Sequence, residues 1–319
     1  MTKKRIFLVT IFLLLTVLSL IIGPNMKLIT QLFTGNKRAW IDFLNGRLPR
    51  TIVIILASAS LSISGLIMQS ISRNKFISPS TAGVNDAAAL GVFLGYLLLG
   101  NQPLGIRFIF AFIFASISSL LFIAILNKIK FKNVIYVPLI GMMYGALISS
   151  LTTFIAHRTN NLQFLTSINV GTFSKITALN SYLLIILIPA LILSFIYAAS
   201  FNVVAMGNDF AKNLGVNYKL IMTIGIIIIS IVSASTYIVV GPLPFLGLII
   251  PNIVTLYYGD GVKKNLIDVA LFGISFVLLN DIISRLVVYP YEIAVGFTMG
   301  ISGAIIFLIL IFKRVKTNE

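Results

Sequence analysis

Residues 65–86 read GLIMQSISRNKFISPSTAGVND, a run of small and polar residues between two apolar segments. Arg73 and Lys75 are cationic groups of the kind that anchor a membrane helix at its inner end. Pro79 ends a helix, and Asp86 stands where the next apolar segment starts, so its carboxylate favours the positive end of a helix dipole. The run is typical of a cytoplasmic turn between two membrane helices, and a loop that lines a wet path is the alternative.

The composition of the chain indicates that lipid is its solvent. Of 319 residues, 58% are hydrophobic and only 10% are charged, and the mean hydropathy is +1.05. A soluble domain carries about a quarter charged residues. The apolar runs are continuous rather than alternating, which favours membrane helices over a transmembrane β-barrel.

Ten apolar segments are candidate membrane helices. They cover residues 6–23, 51–71, 84–100, 107–126, 134–156, 182–200, 219–240, 245–258, 266–284 and 293–312. The first follows Lys3-Lys4-Arg5, but no cleavage site of the A-x-A type comes after it, so we expect a retained helix. The sequence therefore predicts an all-α polytopic membrane protein, with a single transmembrane domain over residues 1–319.

The distribution of cations predicts the orientation. If the N-terminus is cytoplasmic, the inner segments hold fifteen lysines and arginines and the outer segments hold nine. This bias favours a cytoplasmic N-terminus and a cytoplasmic C-terminus. The same residues at helix ends account for the net charge of +16, so no nucleic-acid partner is expected.

Residues 205–217, AMGNDFAKNLGVN, lie on the predicted inner side and are longer than a turn requires. Asp209 suits an N-cap and Gly215 a C-cap, which predicts a short helix between them. Phe210, Ala211 and Leu214 should share one face. The helix could insert into a groove on another protein, or it could lie on its own bundle, and the residues leave both open.

Two further segments carry candidate functional groups. Residues 241–252, GPLPFLGLIIPN, predict a broken or re-entrant element, because prolines and glycines at membrane depth imply irregular backbone that lines a path or is shielded by protein. Asp281 and Arg285 are one helical turn apart and should form a structural ion pair, although a carboxylate at that depth is also a functional candidate. Glu292 precedes the last apolar segment and should cap it.

Several kinds of chemistry are excluded by what the sequence lacks. The absence of cysteine excludes disulfides and thiolate sites, and the only histidine, His157, belongs to no zinc motif, so neither a metal site nor a cofactor is expected. No phosphate-binding G-x-x-x-x-G-K-[ST] loop is present, so the chain should not hydrolyse ATP and is not expected to be an enzyme. An ion-coupled secondary transporter is the rival class, and Asp281 would be its carboxylate.

In their order along the chain these segments resemble the iron-chelate and vitamin B12 class of binding-protein-dependent ABC importer permeases. The matching motifs are R-x-P-R at 47–50, G-x-x-x-Q…R-N-x-x-x-x-P…G at 65–83, A-x-x-L-G-V at 211–216, F-x-G-L-x-x-P at 245–251, D-x-x-x-R at 281–285 and E-x-x-x-G at 292–296. Asn74-Lys75 stands where the family usually has Asn-Pro, and Pro251-Asn252 stands where it has Pro-His. The variant R-N-K-F-x-S-P-x-T-A-G is similar to Gram-positive permeases for ferric catecholate siderophores.

The resemblance implies a vitamin B12 importer permease-like bundle in the cell membrane of a Gram-positive bacterium. The implied partners are a second permease subunit, a pair of cytoplasmic ABC ATPases and an extracellular substrate-binding lipoprotein. The second permease is the same chain or, as is common in the siderophore subgroup, a different one. The implied substrate is a ferric siderophore, with haem, hydroxamate siderophores and corrinoids as alternatives.

The resemblance also implies roles for particular residues. The segment at 205–217 becomes the helix that couples to the ATPase, with Met206, Gly207, Asp209, Phe210, Ala211, Leu214 and Gly215 as its candidate residues. The docking candidates for the binding protein are Arg47, Arg50 and Arg285. The pathway or gate candidates are Gln69, Asn74, Pro79, Pro244, Gly247, Pro251 and Asn252.

Overall fold

A computed structural model describes residues 3–23, 31–32, 34–100, 103–128 and 136–317, and every regular element in these ranges is helical. The α-helices are α1 (Lys3–Ile21), α2 (Lys37–Asp42), α3 (Leu48–Ser72), α4 (Val84–Leu99), α5 (Leu104–Lys128), α6 (Tyr136–Arg158), α7 (Leu162–Ile168), α8 (Ala178–Ser181), α9 (Leu187–Ile196), α10 (Ala198–Met206), α11 (Asn208–Asn213), α12 (Tyr218–Val239), α13 (Leu246–Tyr258), α14 (Val262–Leu286) and α15 (Val295–Thr317). A π-helical turn, Phe43–Arg47, joins α2 to α3, and a 3₁₀ turn, Tyr182–Ile186, precedes α9.

Each of the ten predicted segments corresponds to a helix or to a bent helix pair. In the part of the chain that is described, six helical stretches are long and apolar enough to cross a membrane, namely α1, the stretch from α2 through α3, α5, α6, α12 and α14. A seventh is the pair of Tyr182–Ile196 and α10, which is bent by 60°. The remaining three, α4, α13 and Val295–Leu310, are shorter apolar helices. The predicted all-α bundle is confirmed.

The turn at 73–83 packs against the side of α6, so α4 begins beside that helix and is short. A methyl group on Gly141 of α6 would lie 2.3 Å from the carbonyl oxygen of Thr81, and one on Gly83 would meet Tyr144 at 2.8 Å. These short distances show that the turn lies directly against α6. Gly83, at φ 73°, takes the left-handed conformation that directs the chain from this turn into α4.

The predicted break at 241–245 is also present. The chain leaves α12 and enters α13 through Phe245, which is itself in the left-handed region at φ 64°. Peptide groups at the start of the break have protein partners: the Thr172 N–H donates to the Val240 carbonyl at 2.8 Å, and the Gly241 N–H donates to the Tyr237 carbonyl at 2.9 Å. Protein atoms rather than lipid therefore meet these peptide groups, as irregular backbone at lipid depth requires.

The helix α3 forms the centre of the bundle and packs on α12, α13 and α14. Small residues allow this: a methyl group on Gly65 would lie 2.1 Å from the Gly247 carbonyl oxygen of α13, and one on Gly273 of α14 would lie 2.0 Å from the Ser62 hydroxyl. Close backbone approach is how helices associate in lipid, where water expulsion contributes little.

One boundary prediction was wrong. We expected the second membrane helix to begin at residue 51, but the helix continues upstream of Pro49 to Lys37. The Leu48 N–H donates to the Phe43 carbonyl, five residues back, so the turn before the proline is widened. Since proline has no N–H and crowds the carbonyl four residues earlier, a π turn lets the helix continue through it.

Candidate functional site

The short helix predicted at 205–217 exists as α11, with its ends placed differently from the prediction. Gly207, at φ 112°, occupies the N-cap position, and Asp209 lies in the first turn of the helix, so the prediction of Asp209 as N-cap was wrong. A glycine can take this φ and turn the chain sharply out of α10, so the helix starts earlier than the carboxylate predicts. Asp209 still lies near the positive end of the peptide dipoles.

The C-terminal end of α11 is closed by Gly215, which follows the C-cap Leu214 and has φ 69°. The Gly215 N–H donates to the Lys212 carbonyl at 3.0 Å, and the Val216 N–H donates to the Ala211 carbonyl at 2.9 Å. This pair of bonds is a Schellman motif. Gly215 therefore terminates the helix as predicted, one position beyond the cap itself.

The side chains of α11 divide between two faces. Phe210 and Leu214 are 42% and 56% exposed, and Met206, just before the helix, is 57% exposed. Ala211 is fully buried, so the prediction that it shares the face of Phe210 and Leu214 was wrong. Residues four apart stack on one side of a helix, whereas the next residue is turned by about 100°. Ala211 thus packs into the protein while the other two point away from it.

The polar run after α3 touches the start of α11. Arg73 caps α3 in the left-handed conformation, at φ 54°. A methyl group on Gly207 would lie 3.2 Å from Nη1 of Arg73, so the guanidinium lies against the backbone there. The sequence did not predict this contact, because the two segments are far apart in the chain.

Most of the predicted gate residues meet where α3 packs on α13. The Asn252 amide donates to the Lys75 and Leu248 carbonyls at 2.7 Å each, and the Gln69 amide donates to the Leu248 carbonyl at 3.4 Å. A methyl group on Gly247 would lie 3.4 Å from Pro79.

The other three gate candidates have separate positions. The Asn74 side chain accepts from the Phe76 N–H at 2.8 Å and so shapes the turn. Pro251 lies within α13, whereas Pro244 precedes that helix in the irregular segment. The structure therefore brings Gln69, Pro79, Gly247 and Asn252 together, and Pro244 lies in the irregular segment just before α13.

Two ion pairs lie at the predicted inner end, and neither was predicted. Lys75 pairs with Asp260 at 2.6 Å on the surface, which joins the turn after α3 to the turn before α14. Arg5 of α1 donates from Nε and Nη2 to the carboxylate of Asp268, a fully buried residue of α14. The second pair fixes the first helix against the bundle.

At the predicted outer end, Arg47 and Arg285 cap the first helix. The Arg47 guanidinium donates to the Leu20 and Ile21 carbonyls at 2.8 and 2.5 Å. Arg285 donates to the Ser19 carbonyl at 2.9 Å. The last carbonyls of a helix have no partner within it, so these buried cations satisfy them and complement the dipole.

Arg50 is held by two carboxylates. It donates to Asp281 at 2.7 Å and to Glu292 at 2.7 Å. The predicted pair of Asp281 and Arg285 is present, and the Asp281 carboxylate therefore lies between two arginines. Glu292 does not cap the last helix, which begins at Val295, because its carboxylate is bound to Arg50 instead.

The three predicted docking arginines line one outer cavity of about 420 Å³, together with Asp42, Ser174 and Glu292. They do not project from the surface, since the side chains of Arg50 and Arg285 are only 13% and 3% exposed. A partner that binds here would contact guanidinium groups that are already bound to carboxylates or to backbone carbonyls of this chain. Docking at these residues stays a prediction.

A second cavity is lined by a carboxylate that was not among the predicted site residues. Asp86, in the first turn of α4, faces a cavity of about 320 Å³ that also contacts α6 and the irregular segment before α13. From the sequence, the Asp86 carboxylate was expected only to stabilise the start of a helix at the membrane edge. The signal that was available is the rarity of acids in this chain, which has eight. In the described part of the chain no group of three or more His, Asp or Glu residues could hold a metal ion.

A bundle of apolar helices, two of them shortened by irregular segments, with a short exposed helix at one end and a cationic cavity at the other, defines a multi-pass membrane permease. The FecCD transport family model matches residues 8–313, and the chain belongs to that family. The resemblance drawn from the motifs is confirmed, and the chain is a multi-pass protein of the cell membrane.

Named relatives agree with the family. The chain is 42% identical to the petrobactin import system permease protein YclN of Bacillus subtilis (strain 168) over 311 residues, which are 98% of each chain. It is 39% identical to the ferric-anguibactin transport system permease protein FatD of Vibrio anguillarum (strain ATCC 68554 / 775) over 305 residues, which are 96% of this chain and 97% of the relative.

A solved structure has the same fold. A metal-chelate type ABC transporter in an inward-facing conformation superposes with a TM-score of 0.80 at 22% identity, over 97% of this chain and 98% of that chain. At this identity the similarity establishes the fold alone.

Proposed function

We propose that this chain is the transmembrane permease subunit of a binding-protein-dependent ABC importer that moves a ferric siderophore, of the catecholate type, into the cytoplasm. ATP hydrolysis resides on a separate subunit. The observation that carries the proposal is α11, a glycine-bounded helix that exposes Phe210 and Leu214 at the predicted inner end. The choice of siderophore rests on the petrobactin and anguibactin permeases, which align over nearly their whole length. Haem, hydroxamate siderophores and corrinoids are the alternatives.

The exposed face of α11 suits a groove on an ATPase subunit. An apolar side chain contributes about 1.5–3 kcal/mol when fully buried, and Phe210 and Leu214 each have roughly half of that gain available. Ala211 anchors the helix to the permease, and Arg73 contacts its start. Movement of the ATPase would thus reach α3 and the turn after it, which carries the candidate gate residues.

The outer cavity suits the binding protein. Acidic side chains of that partner would meet Arg47, Arg50 and Arg285 in competition with Asp281 and Glu292. Charge complementarity of this kind sets register and the rate of encounter more than affinity. An anionic ferric chelate would also be attracted to the same positive cavity.

The exposed face of α6 suits a second permease subunit, either the same chain or a related one. Met143, Leu147, Leu151 and Phe154 recur at helical spacing and are all more than half exposed. Lipid is the alternative occupant of this face. Because the chain has no cysteine, single substitutions such as Leu147→Cys report a partner directly. With copper phenanthroline as the oxidant, this thiol should form a disulfide in native membranes with the same cysteine of a second copy, or with a cysteine introduced into the related permease. The absence of such crosslinks along the whole face would oppose the assignment.

The proposal is tested by reconstitution. The permease is placed in liposomes with its ATPase, its binding protein and, where the neighbouring reading frames encode one, the second permease, and uptake of a ⁵⁵Fe-labelled catecholate siderophore is measured. We expect uptake that requires the binding protein and ATP. Uptake driven by a proton or sodium gradient without the ATPase would instead support an ion-coupled transporter.

A further inference from the structure

The cavity beside Asp86 lies between α4 and α6 and opens at the protein surface, because Ser149, Thr153 and Asn169 of its lining are exposed. A methyl group on Gly145, near the middle of α6, would lie 2.6 Å from Oδ2 of Asp86. The carboxylate is therefore level with the middle of a membrane-spanning helix. From there the cavity, of about 320 Å³, reaches Pro242 in the irregular segment that follows α12.

The lining of this cavity is polar but carries a single formal charge. Ser149 and Thr152 contribute hydroxyls from α6, and Asn85 and Asn169 contribute amides. The Tyr237 hydroxyl, which is buried, donates to the Asn169 side chain. The other lining residues carry no charge. Such groups orient a ligand through hydrogen bonds without neutralising the carboxylate.

Asp86 differs from the other carboxylates inside the bundle. Asp268 is bound by Arg5, and Asp281 is bound by Arg50 and Arg285. Within the described ranges no cation and no donor from another residue meets the Asp86 carboxylate. Asp86 is partly buried where it faces the cavity. A carboxylate that loses part of its water is destabilised without a counter-charge, and the start of α4 supplies only a partial positive charge.

The size and the lining of the cavity indicate which kind of cation could pair with Asp86. A calcium or magnesium site would need several oxygen ligands around a small ion, including more than one carboxylate in most cases. Here one carboxylate faces a space much larger than an ion. An ammonium group on a carbon chain fits better, because its N–H groups can donate to Asp86 and to the hydroxyls of Ser149 and Thr152.

We propose that this cavity holds an ammonium-bearing arm of the chelate during its passage, with Asp86 as the counter-charge. The proposal rests on the proposed function and narrows its substrate class to ferric chelates that carry protonated amines. A single carboxylate binds such an arm weakly enough for release. Cations on the outer cavity and an anion at membrane depth then act on different parts of the same ligand.

The test uses the complete importer in liposomes and a matched pair of probes. One probe is a synthetic ferric catecholate whose linker contains protonated secondary amines, and the other is the same chelate with those amines acetylated. The measured quantity is the ratio of their ATP-dependent uptake rates at saturating binding protein. We expect Asp86→Asn to lower this ratio about tenfold, as loss of about 1.4 kcal/mol of charge pairing would. Asp86→Glu should retain most of it.

Controls make the result specific. Asp260→Asn removes the same charge from the surface and should leave the ratio unchanged. If Asp86→Asn does not insert, Gly145→Ala serves instead, because its methyl group displaces the carboxylate while the charge remains. An unchanged ratio in inserted variants overturns the role of Asp86 while uptake by the importer still stands. Failure of the wild-type complex to take up either probe with ATP overturns both proposals.

Discussion

Replacing Leu214 with aspartate should detach the permease from its ATPase without unfolding it. Leu214 is 56% exposed at the end of α11, and Phe210 beside it is 42% exposed. If docking buries the exposed part of each side chain, each contributes about 1 kcal/mol. Leu214→Ala should therefore weaken ATPase binding roughly fivefold. Leu214→Asp also places an unpaired carboxylate in the contact, so we expect a loss of about 3 kcal/mol or more, on the order of 100-fold.

The assay is a titration of nanodisc-embedded permease with fluorescently labelled ATPase subunit, read by anisotropy. Leu162→Asp is the matched control, because Leu162 is an exposed leucine of α7 at the predicted outer end. It should insert to the same extent and bind the ATPase as the wild type does. If Leu214→Asp inserts normally and keeps wild-type affinity, α11 is not the docking helix.

Two further predictions concern the interior and are measured as thermal unfolding in detergent. Gly65→Ala places a methyl group 2.1 Å from the Gly247 carbonyl oxygen and should destabilise the bundle by about 3 kcal/mol. In the control variant Gly300→Ala, the methyl group meets no atom within 4 Å and should be neutral. Equal unfolding temperatures of the two variants would refute the close helix contact. Asp281→Asn removes a counter-charge shared by Arg285, which is buried, and Arg50, which is mostly buried, and should cost about 3–5 kcal/mol. Asp260→Asn, in a surface pair, should change little. A neutral Asp281→Asn would mean that the outer arginines are hydrated.

The membrane helices were predictable because hydrophobic segments of about 20 residues have few alternatives to spanning. The breaks before α4 and α13 were marked by Pro79, Gly83 and Gly241, and the structure has irregular backbone at both places. The start of the second span was misjudged because a proline is read as a helix boundary. The π turn at 43–47 that carries the helix past Pro49 has no signature in composition.

The short helix α11 shows the limit of local sequence rules. Gly215 was recognised, because a left-handed residue after a helix is most often glycine. Asp209 was predicted as the N-cap because aspartate is a preferred N-cap residue, whereas the structure has Gly207 in that position. Ala211 was placed on the exposed face because helical spacing relates residues to one another and does not determine which side meets the protein.

The charged groups were the hardest part to predict. The spacing of Asp281 and Arg285 predicted their pair, but nothing in the spacing indicated that Arg50 joins it from a distant helix. Asp86 was read as a group at the membrane edge, because the turn before it is polar. Its position opposite Gly145 depends on that turn packing against α6, which is a tertiary contact.

The most direct test of the account asks which side of the membrane α11 faces and what covers it. The chain has no cysteine, so Leu214→Cys provides a single label site. A membrane-impermeant maleimide should label this variant in inside-out vesicles but not in sealed right-side-out vesicles, and added ATPase subunit should protect it. Labelling from the outer side, or undiminished labelling at saturating ATPase, would contradict the central claim that α11 is a cytoplasmic docking helix.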